Sequence, residues 1–182
     1  MRLNRFLKEE NIDLDFDPLA GLPIPEEEEG LELHELSPRQ QWRRKEVVLE
    51  RLVELLEPSG RITNPRKCLT DLRNREAKAS TGIGRGIAMP HVRTPQAKDF
   101  AIGVAITPPP GVWFDSIDDE PVRLFFPMVA PAYNDKYYRK VEKALADAFT
   151  REDEDGEGGL YEQLLRAEDP GEVIYLLGQA LD

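Results

Sequence analysis

One of the two histidines in the chain, His91, stands among residues that favour chemistry at its ring, in the stretch TGIGRGIAMPHVR at 81–93. Three alternating glycines lack Cβ atoms, so this backbone can adopt positive φ angles and point consecutive N–H groups at an anion. Pro90 fixes its own φ angle and biases Met89 toward an extended conformation, which holds the histidine in a defined place. The pattern predicts an imidazole beside an anion-binding turn formed by Thr81, Gly82, Gly84 and Gly86.

Three arginines lie close to this histidine in the sequence. Arg75 ends a predicted helix, and Arg85 and Arg93 lie on either side of the Pro-His pair. Guanidinium groups bind phosphate oxygens with charge-assisted hydrogen bonds, and a neutral imidazole is a nucleophile at physiological pH. Glycines, arginines and imidazole together predict a histidine that carries a phosphoryl group.

Other patterns in the chain fail the spacing rules of known ligand sites. GIGRG has Ile87 where the dinucleotide fingerprint needs its third glycine, and no Gly-Lys-Ser/Thr follows for a phosphate-binding P-loop. The run DEDGEGG at 153–159 begins like a calcium loop but has Leu164 at the twelfth position, so it predicts a solvated acidic loop. The second histidine, His34, lies among glutamates and is predicted to be an ordinary surface residue. Two histidines and one cysteine, widely separated, do not form a transition-metal site, and the sequence predicts neither a metal nor a cofactor.

Composition narrows the classes of function. The 182 residues fit one domain, 1–182, and carry 35 acidic against 24 basic side chains, a net charge of -11. This charge disfavours binding to nucleic acid or to an anionic membrane. The densest basic run, RQQWRRK at 39–45, is followed by glutamates and predicts a helix start with a solvated face. A single cysteine, Cys68, and the lack of a long apolar run predict a cytoplasmic protein without membrane insertion.

The elements that must position the histidine follow from local signals. Ser37-Pro38 and Asn64-Pro65 are helix-start pairs, and Asp135 and Asp169-Pro170 predict two later helices. The apolar runs at 100–106 and 122–130 have the length of strands buried on both faces, with a short strand and turn between them. Helices before and after strands predict a layered mixed α/β domain, to which residues 12–16 could add an edge strand. The apolar residues expected to face inward on the first and third helices are Val48, Leu52, Leu55, Leu56, Val141, Ala144, Leu145 and Ala148.

The stretch REAKASTGIGRGIAMPHVR at 75–93 resembles the active-site signature of phosphotransferase-system enzyme IIA domains of the fructose/mannitol and nitrogen-regulatory type. In that family an Arg-Glu pair, a Thr-Gly-x-Gly turn and a Pro-His dipeptide recur, and the resemblance extends over most of the chain. It implies an α/β fold, a three-layer α/β/α sandwich with a central mixed β-sheet. It also implies that His91 accepts the phosphoryl group, that Arg75 helps to position it, and that residues 81–86 cradle it. Arg93 is a further candidate phosphate ligand because of its charge and its nearness to His91 in the sequence.

Two features depart from the family pattern. Members often carry a second histidine at the start of a later helix, where this chain has Tyr137 and Tyr138. A phenol can donate a hydrogen bond to phosphate but supplies no positive charge. The acidic, proline-containing segment at about 17–40 is longer than the family's usual link and predicts a loop insertion.

The resemblance implies a phosphoryl carrier that takes phosphate on His91 from a histidine phosphocarrier protein and passes it to a separate IIB protein in sugar uptake. The alternative is a nitrogen-regulatory IIA module whose phosphorylation state selects a regulated partner protein without sugar transport. A third reading is a module that has kept the fold but lost phosphorylation. The sequence leaves these readings open.

Overall fold

The computed structural model describes residues 2–133, 135–150 and 158–181. The first five residues of the predicted acidic loop at 153–159 lie outside these ranges. The helices are α1 (Pro38–Leu56), α2 (Pro65–Lys78), α3 (Tyr138–Thr150), α4 (Leu160–Leu165) and α5 (Pro170–Leu181). The strands are β1 (Ile12–Asp13), β2 (Gly82–Gly84), β3 (Ile87–Ala88), β4 (His91–Thr94), β5 (Ala101–Ile102), β6 (Val104–Ile106), β7 (Leu124–Phe125) and β8 (Met128–Pro131).

Helices α1, α2 and α5 begin where the sequence predicts, because the capping residues act locally. The Ser37 hydroxyl accepts a hydrogen bond from the Gln40 amide, and the Gln40 side chain accepts one from the Ser37 amide. The Asn64 side chain caps α2 by accepting a hydrogen bond from the Lys67 amide. Asp135 accepts hydrogen bonds from the amides of residues 137 and 138, so the third helix begins three residues after its predicted first residue.

The strands form two mixed groups, ordered β1-β6-β7-β3-β2 and β4-β8-β5. Backbone hydrogen bonds from Phe126 to Ala88, from Met128 to Pro90 and from Gly103 to Pro127 join the two groups. The pairs β3/β4, β5/β6 and β7/β8 are therefore each one strand interrupted by one or two residues, and β1 lies at the sheet edge, as predicted. The strand predicted within residues 111–121 is wrong, because only a single bridge between Val112 and Val122 forms there.

Helices cover both faces of the sheet, which confirms the predicted mixed α/β fold with three layers. Strand residues alternate between the two cores: Leu124 packs with residues of α3, α4 and α5, and Phe125 packs with residues of α1 and α2. The inward-facing residues of the first and third helices are as predicted, although Leu55 and Ala144 are only partly buried. No helix within the described ranges is long and apolar enough to cross a membrane.

Residues 17–36 run beside α1 as loops and short 3-10 turns. The buried Glu28 lies 3.4 Å from the Arg44 guanidinium, and Leu19 packs against the core beneath α1. The segment therefore contacts the helix side of the molecule. That it is an insertion, and that residues 1–182 form a single domain, stay predictions from the sequence.

Candidate functional site

His91 opens strand β4, and its ring is held by the backbone of Met89, in the two-residue interruption between β3 and β4. The Nδ1 atom lies 2.7 Å from the carbonyl oxygen of Met89. Because a carbonyl oxygen only accepts, Nδ1 must carry the proton, and the neutral ring then has its lone pair on Nε2. A backbone carbonyl thus fixes the tautomer of the ring.

Arg75 lies against the free ring nitrogen. It comes from the last turn of α2, where its Nη2 atom lies 3.4 Å from Nε2 of His91. Its Nη1 atom donates to the carbonyl oxygen of Ala79 at 3.0 Å, a group left without a helical partner at the helix end. This anchor fixes the guanidinium beside the imidazole.

An open concavity of about 450 Å³ lies in front of these two side chains. Three cationic side chains, those of Arg75, Lys78 and Arg93, line it together with one carboxylate, that of Asp71. The Asp71 carboxylate also accepts a hydrogen bond of 2.6 Å from the Thr94 hydroxyl. The local charge is positive in a chain of net charge -11, so the site attracts anions. The lining residues are Asp71, Asn74, Arg75, Lys78, His91, Val92, Arg93, Pro95 and Tyr138.

Only 8% of the surface of His91 is exposed, which is little for a side chain that a donor protein has to reach. The imidazole is shielded from solvent by its position in strand β4 and by the ring of Tyr138. The centroids of the two rings are 5.0 Å apart, and the interplanar angle is 46°. The imidazole still borders the concavity, and a small anion can approach it from that side.

The two tyrosines have different environments. Tyr138 lines the concavity, and the Arg93 guanidinium lies 5.3 Å from its ring centroid. Burial, with the Glu142 carboxylate as a second cause, raises the pKa of Tyr138, so its phenol stays protonated and can donate a hydrogen bond. Tyr137 instead packs against Phe6, with centroids 4.5 Å apart. Of the two tyrosines proposed from the sequence, only Tyr138 reaches the imidazole.

The structure does not bring the glycine turn to the imidazole. The Thr81 amide donates to Glu76, the Gly82 amide to the Ser80 hydroxyl and the Arg85 amide to Asp118. The turn does adopt positive φ angles, with values of 90°, 59° and 78° at residues 84, 85 and 86. A Cβ atom at Gly86 would overlap the Tyr161 hydroxyl, so this glycine allows close packing at the far side of the hairpin.

Sequence reasoning missed a buried ion pair beside the site. Lys45 was predicted on a solvated helix face, but its amine is fully buried and lies 2.9 Å from the Glu76 carboxylate, which is buried as well. The spacing held a signal for this, because Lys45 lies three, four and seven residues before apolar residues of the buried stripe of α1.

His34 is exposed, as predicted. Within the described residues, no group of three or more His, Cys, Asp or Glu side chains could hold a metal ion.

Fold and site together define a class of protein: a three-layer α/β protein that presents one histidine, with an arginine at its free nitrogen, in a positively charged concavity. The family model described as "Phosphoenolpyruvate-dependent sugar phosphotransferase system, EIIA 2" matches residues 31–180. The chain belongs to this family of phosphoryl carriers, which confirms the resemblance seen in the sequence.

Related proteins represent both branches of the family. The fructose-specific EIIA component of the phosphotransferase system from Haloferax volcanii is 30% identical over 138 residues, covering 76% of this chain and 85% of the relative. Nitrogen regulatory protein IIA-Ntr from Neisseria meningitidis is similar in structure, with a TM-score of 0.66, 22% identity, and coverage of 96% of this chain and 98% of that one. A complex of enzyme IIA of the mannitol system with phosphorylated enzyme IIB from Escherichia coli gives a TM-score of 0.64, 20% identity, and coverage of 96% and 99%. At these identities the two structures show the shared fold.

Proposed function

We propose that this protein is a cytoplasmic phosphoryl carrier that is phosphorylated on Nε2 of His91. The observation that carries the proposal is the hydrogen bond from Nδ1 to the Met89 carbonyl, because it leaves the lone pair of the neutral ring on Nε2. That atom borders the concavity beside Arg75. The sequence match to a family of phosphoryl carriers supports the same role.

The transfer step uses groups that are already in place. Nε2 attacks the phosphorus of a phosphohistidine on the donor protein; the new N–P bond forms as the donor's N–P bond breaks, and the donor imidazole leaves with the electron pair. Arg75, Lys78 and Arg93 neutralise the phosphoryl oxygens, and the Tyr138 phenol donates to one of them. Side chains take the role that the sequence assigned to the amides of Thr81 and Gly82, since those amides are bonded elsewhere.

The proposed donor is a histidine phosphocarrier protein, and the proposed recipient is a IIB protein of a sugar transporter. The Escherichia coli IIA structure that shares this fold was determined in complex with a phosphorylated IIB protein, which supports a recipient of this kind. The second candidate is a regulatory module whose phosphorylation selects a partner protein. The structural similarity to the IIA-Ntr protein of Neisseria meningitidis motivates it.

Incubation with phosphoenolpyruvate, enzyme I and the histidine phosphocarrier tests the proposal. The wild-type chain should gain a phosphoryl group that is lost in acid and stable in base, the behaviour of phosphohistidine. His91→Ala should not be labelled, whereas His34→Ala, which changes an exposed histidine, should be labelled like the wild type. If the wild type stays unlabelled with cognate donor proteins yet still binds a partner, the carrier function is wrong and the binding module replaces it.

A further inference from the structure

A continuous path of hydrogen bonds links a buried ion pair to the imidazole. The Lys45 amine lies 2.9 Å from Oε1 of Glu76. The same carboxylate accepts from the Thr81 amide and from the Thr81 hydroxyl, each at 2.7 Å. The Thr81 carbonyl accepts from the Met89 amide at 3.0 Å, and the Met89 carbonyl accepts from Nδ1 of His91. The backbone N–H and C=O groups of Thr81 and of Met89 are therefore all held by hydrogen bonds.

The cost of the ion pair indicates that it does more than hold two helices together. Both side chains are fully buried, and burying two charges is expensive, so such pairs are often no more stabilising than apolar side chains of similar volume. The Lys45 amine is further supported by the face of Phe114, 4.6 Å from the ring centroid, and by the Ser80 hydroxyl. What the pair provides uniquely is a carboxylate held in place to receive both donors of Thr81.

We infer that Lys45, Glu76 and Thr81 are positioning residues for the His91 imidazole, which they act on through the backbone of Met89. They hold the Met89 N–H in place, which orients the carbonyl of the same residue to receive the Nδ1 proton, and the ring then keeps its lone pair on Nε2. The inference rests on the proposed function for its kinetic consequence only. The tautomer of the ring can be measured whether or not the protein is phosphorylated.

The mildest test removes one donor without changing shape. Thr81→Val deletes the hydroxyl that donates to Glu76 and keeps the backbone amide, whereas Thr81→Ser keeps both donors. Thr107→Val is the matched control: Thr107 is also buried, and its hydroxyl has no hydrogen-bond partner within the described part of the chain. A second probe, Lys45→Met combined with Glu76→Gln, removes both charges and so avoids leaving one of them buried alone.

Imidazole ¹⁵N chemical shifts measure the tautomer directly. The wild type should show Nδ1 protonated and Nε2 unprotonated. Thr81→Val and the double variant should shift this population toward the Nε2-protonated form and slow phosphoryl acceptance on the order of tenfold. Thr81→Ser and Thr107→Val should match the wild type in both measurements.

The outcomes separate this inference from the proposed function. If folded Thr81→Val keeps the wild-type ¹⁵N shifts and rate, the three residues only stabilise the fold and the inference is wrong, whatever happens to the double variant. If the wild type is not phosphorylated at all, the proposed function fails, and the ¹⁵N shifts alone decide the inference.

Discussion

The ring of Tyr138 lies against the imidazole of His91, with centroids 5.0 Å apart, and it also faces the guanidinium of Arg93. A neutral phenol thus occupies a position between the phosphoryl acceptor proposed here and a cation of the same concavity. Because burial raises the pKa of this tyrosine, its hydroxyl keeps its proton through the physiological pH range. The group can donate a hydrogen bond but brings no charge.

The first prediction separates the two neighbouring tyrosines. Tyr138→Phe keeps the aromatic contact with the imidazole and removes the donor, so it should slow phosphoryl acceptance about fivefold, the kinetic equivalent of a hydrogen bond worth about 1 kcal/mol. Tyr137→Phe is the control, because that hydroxyl lies 3.4 Å from an Arg5 nitrogen and outside the concavity. Quenched-flow measurement of the labelling rate compares the two variants. Equal rates for both would remove the hydroxyl from the mechanism.

The second prediction concerns the geometry of the cation beside Nε2. Arg75→Lys keeps the charge but loses both the anchor to the Ala79 carbonyl and the planar fork that fits two phosphoryl oxygens. We expect the rate of phosphoryl acceptance to fall on the order of tenfold. Arg66→Lys changes an exposed arginine earlier on the same helix and should leave the rate unchanged. A wild-type rate in Arg75→Lys would show that charge alone is sufficient.

Local signals in the sequence predicted the framework of this site. Ser37 and Asn64 fix the starts of α1 and α2 through hydrogen bonds to residues three positions on. The two long apolar runs predicted strands covered on both faces, and the structure interrupts each of them by only one or two residues. The placement of Arg75 beside His91 follows from this framework, because the helix end and strand β4 pack together.

Other features depend on contacts that no local pattern contains. The glycine turn resembled a phosphate cradle, yet residues distant in the sequence contact it on the far side of the hairpin. Asp118 accepts a hydrogen bond from the Arg85 amide, and the Tyr161 hydroxyl packs against Gly86. The orientation of the Tyr138 side chain depends on how α3 packs in the fold. The pattern of apolar and polar residues along α3 does not predict it. Lys45 lies on the buried stripe of α1, but the carboxylate that pairs with its amine, that of Glu76, is 31 positions away by their numbers.

The third prediction compares two aspartates that bind the first amides of helices. The Asp135 carboxylate, only 2% exposed, accepts from the amides of residues 137 and 138 and lies 3.7 Å from an Arg93 nitrogen. Asp169 accepts from the Glu172 amide at the start of α5. Each change to alanine should lower the free energy of unfolding by about 1–2 kcal/mol, measured by urea denaturation.

Only Asp135→Ala should also slow phosphoryl acceptance, because only Asp135 holds the first turn that carries Tyr138. Asp169→Ala therefore controls for the loss of stability itself. Equal labelling rates in these two variants would show that the start of α3 has no part in the transfer.

The last prediction concerns the single cysteine, which lies on α2 behind the site. Cys68 is fully buried, and burial, with the Asp71 carboxylate as a second cause, raises the pKa of its thiol to about 11. The thiolate is the reactive form, so at pH 8 roughly one thiol in a thousand is ionised. We expect alkylation by iodoacetamide to be at least about 100-fold slower in the native protein than in the urea-unfolded protein, where the pKa of the thiol returns to its ordinary range.

The native alkylation rate should rise with pH up to about 11. It should be the same in His91→Ala, since the thiol lies in the core beneath α2 and not in the concavity. Rapid labelling of the native protein at pH 8 would contradict the packing of α2 described above and, with it, the placement of Arg75.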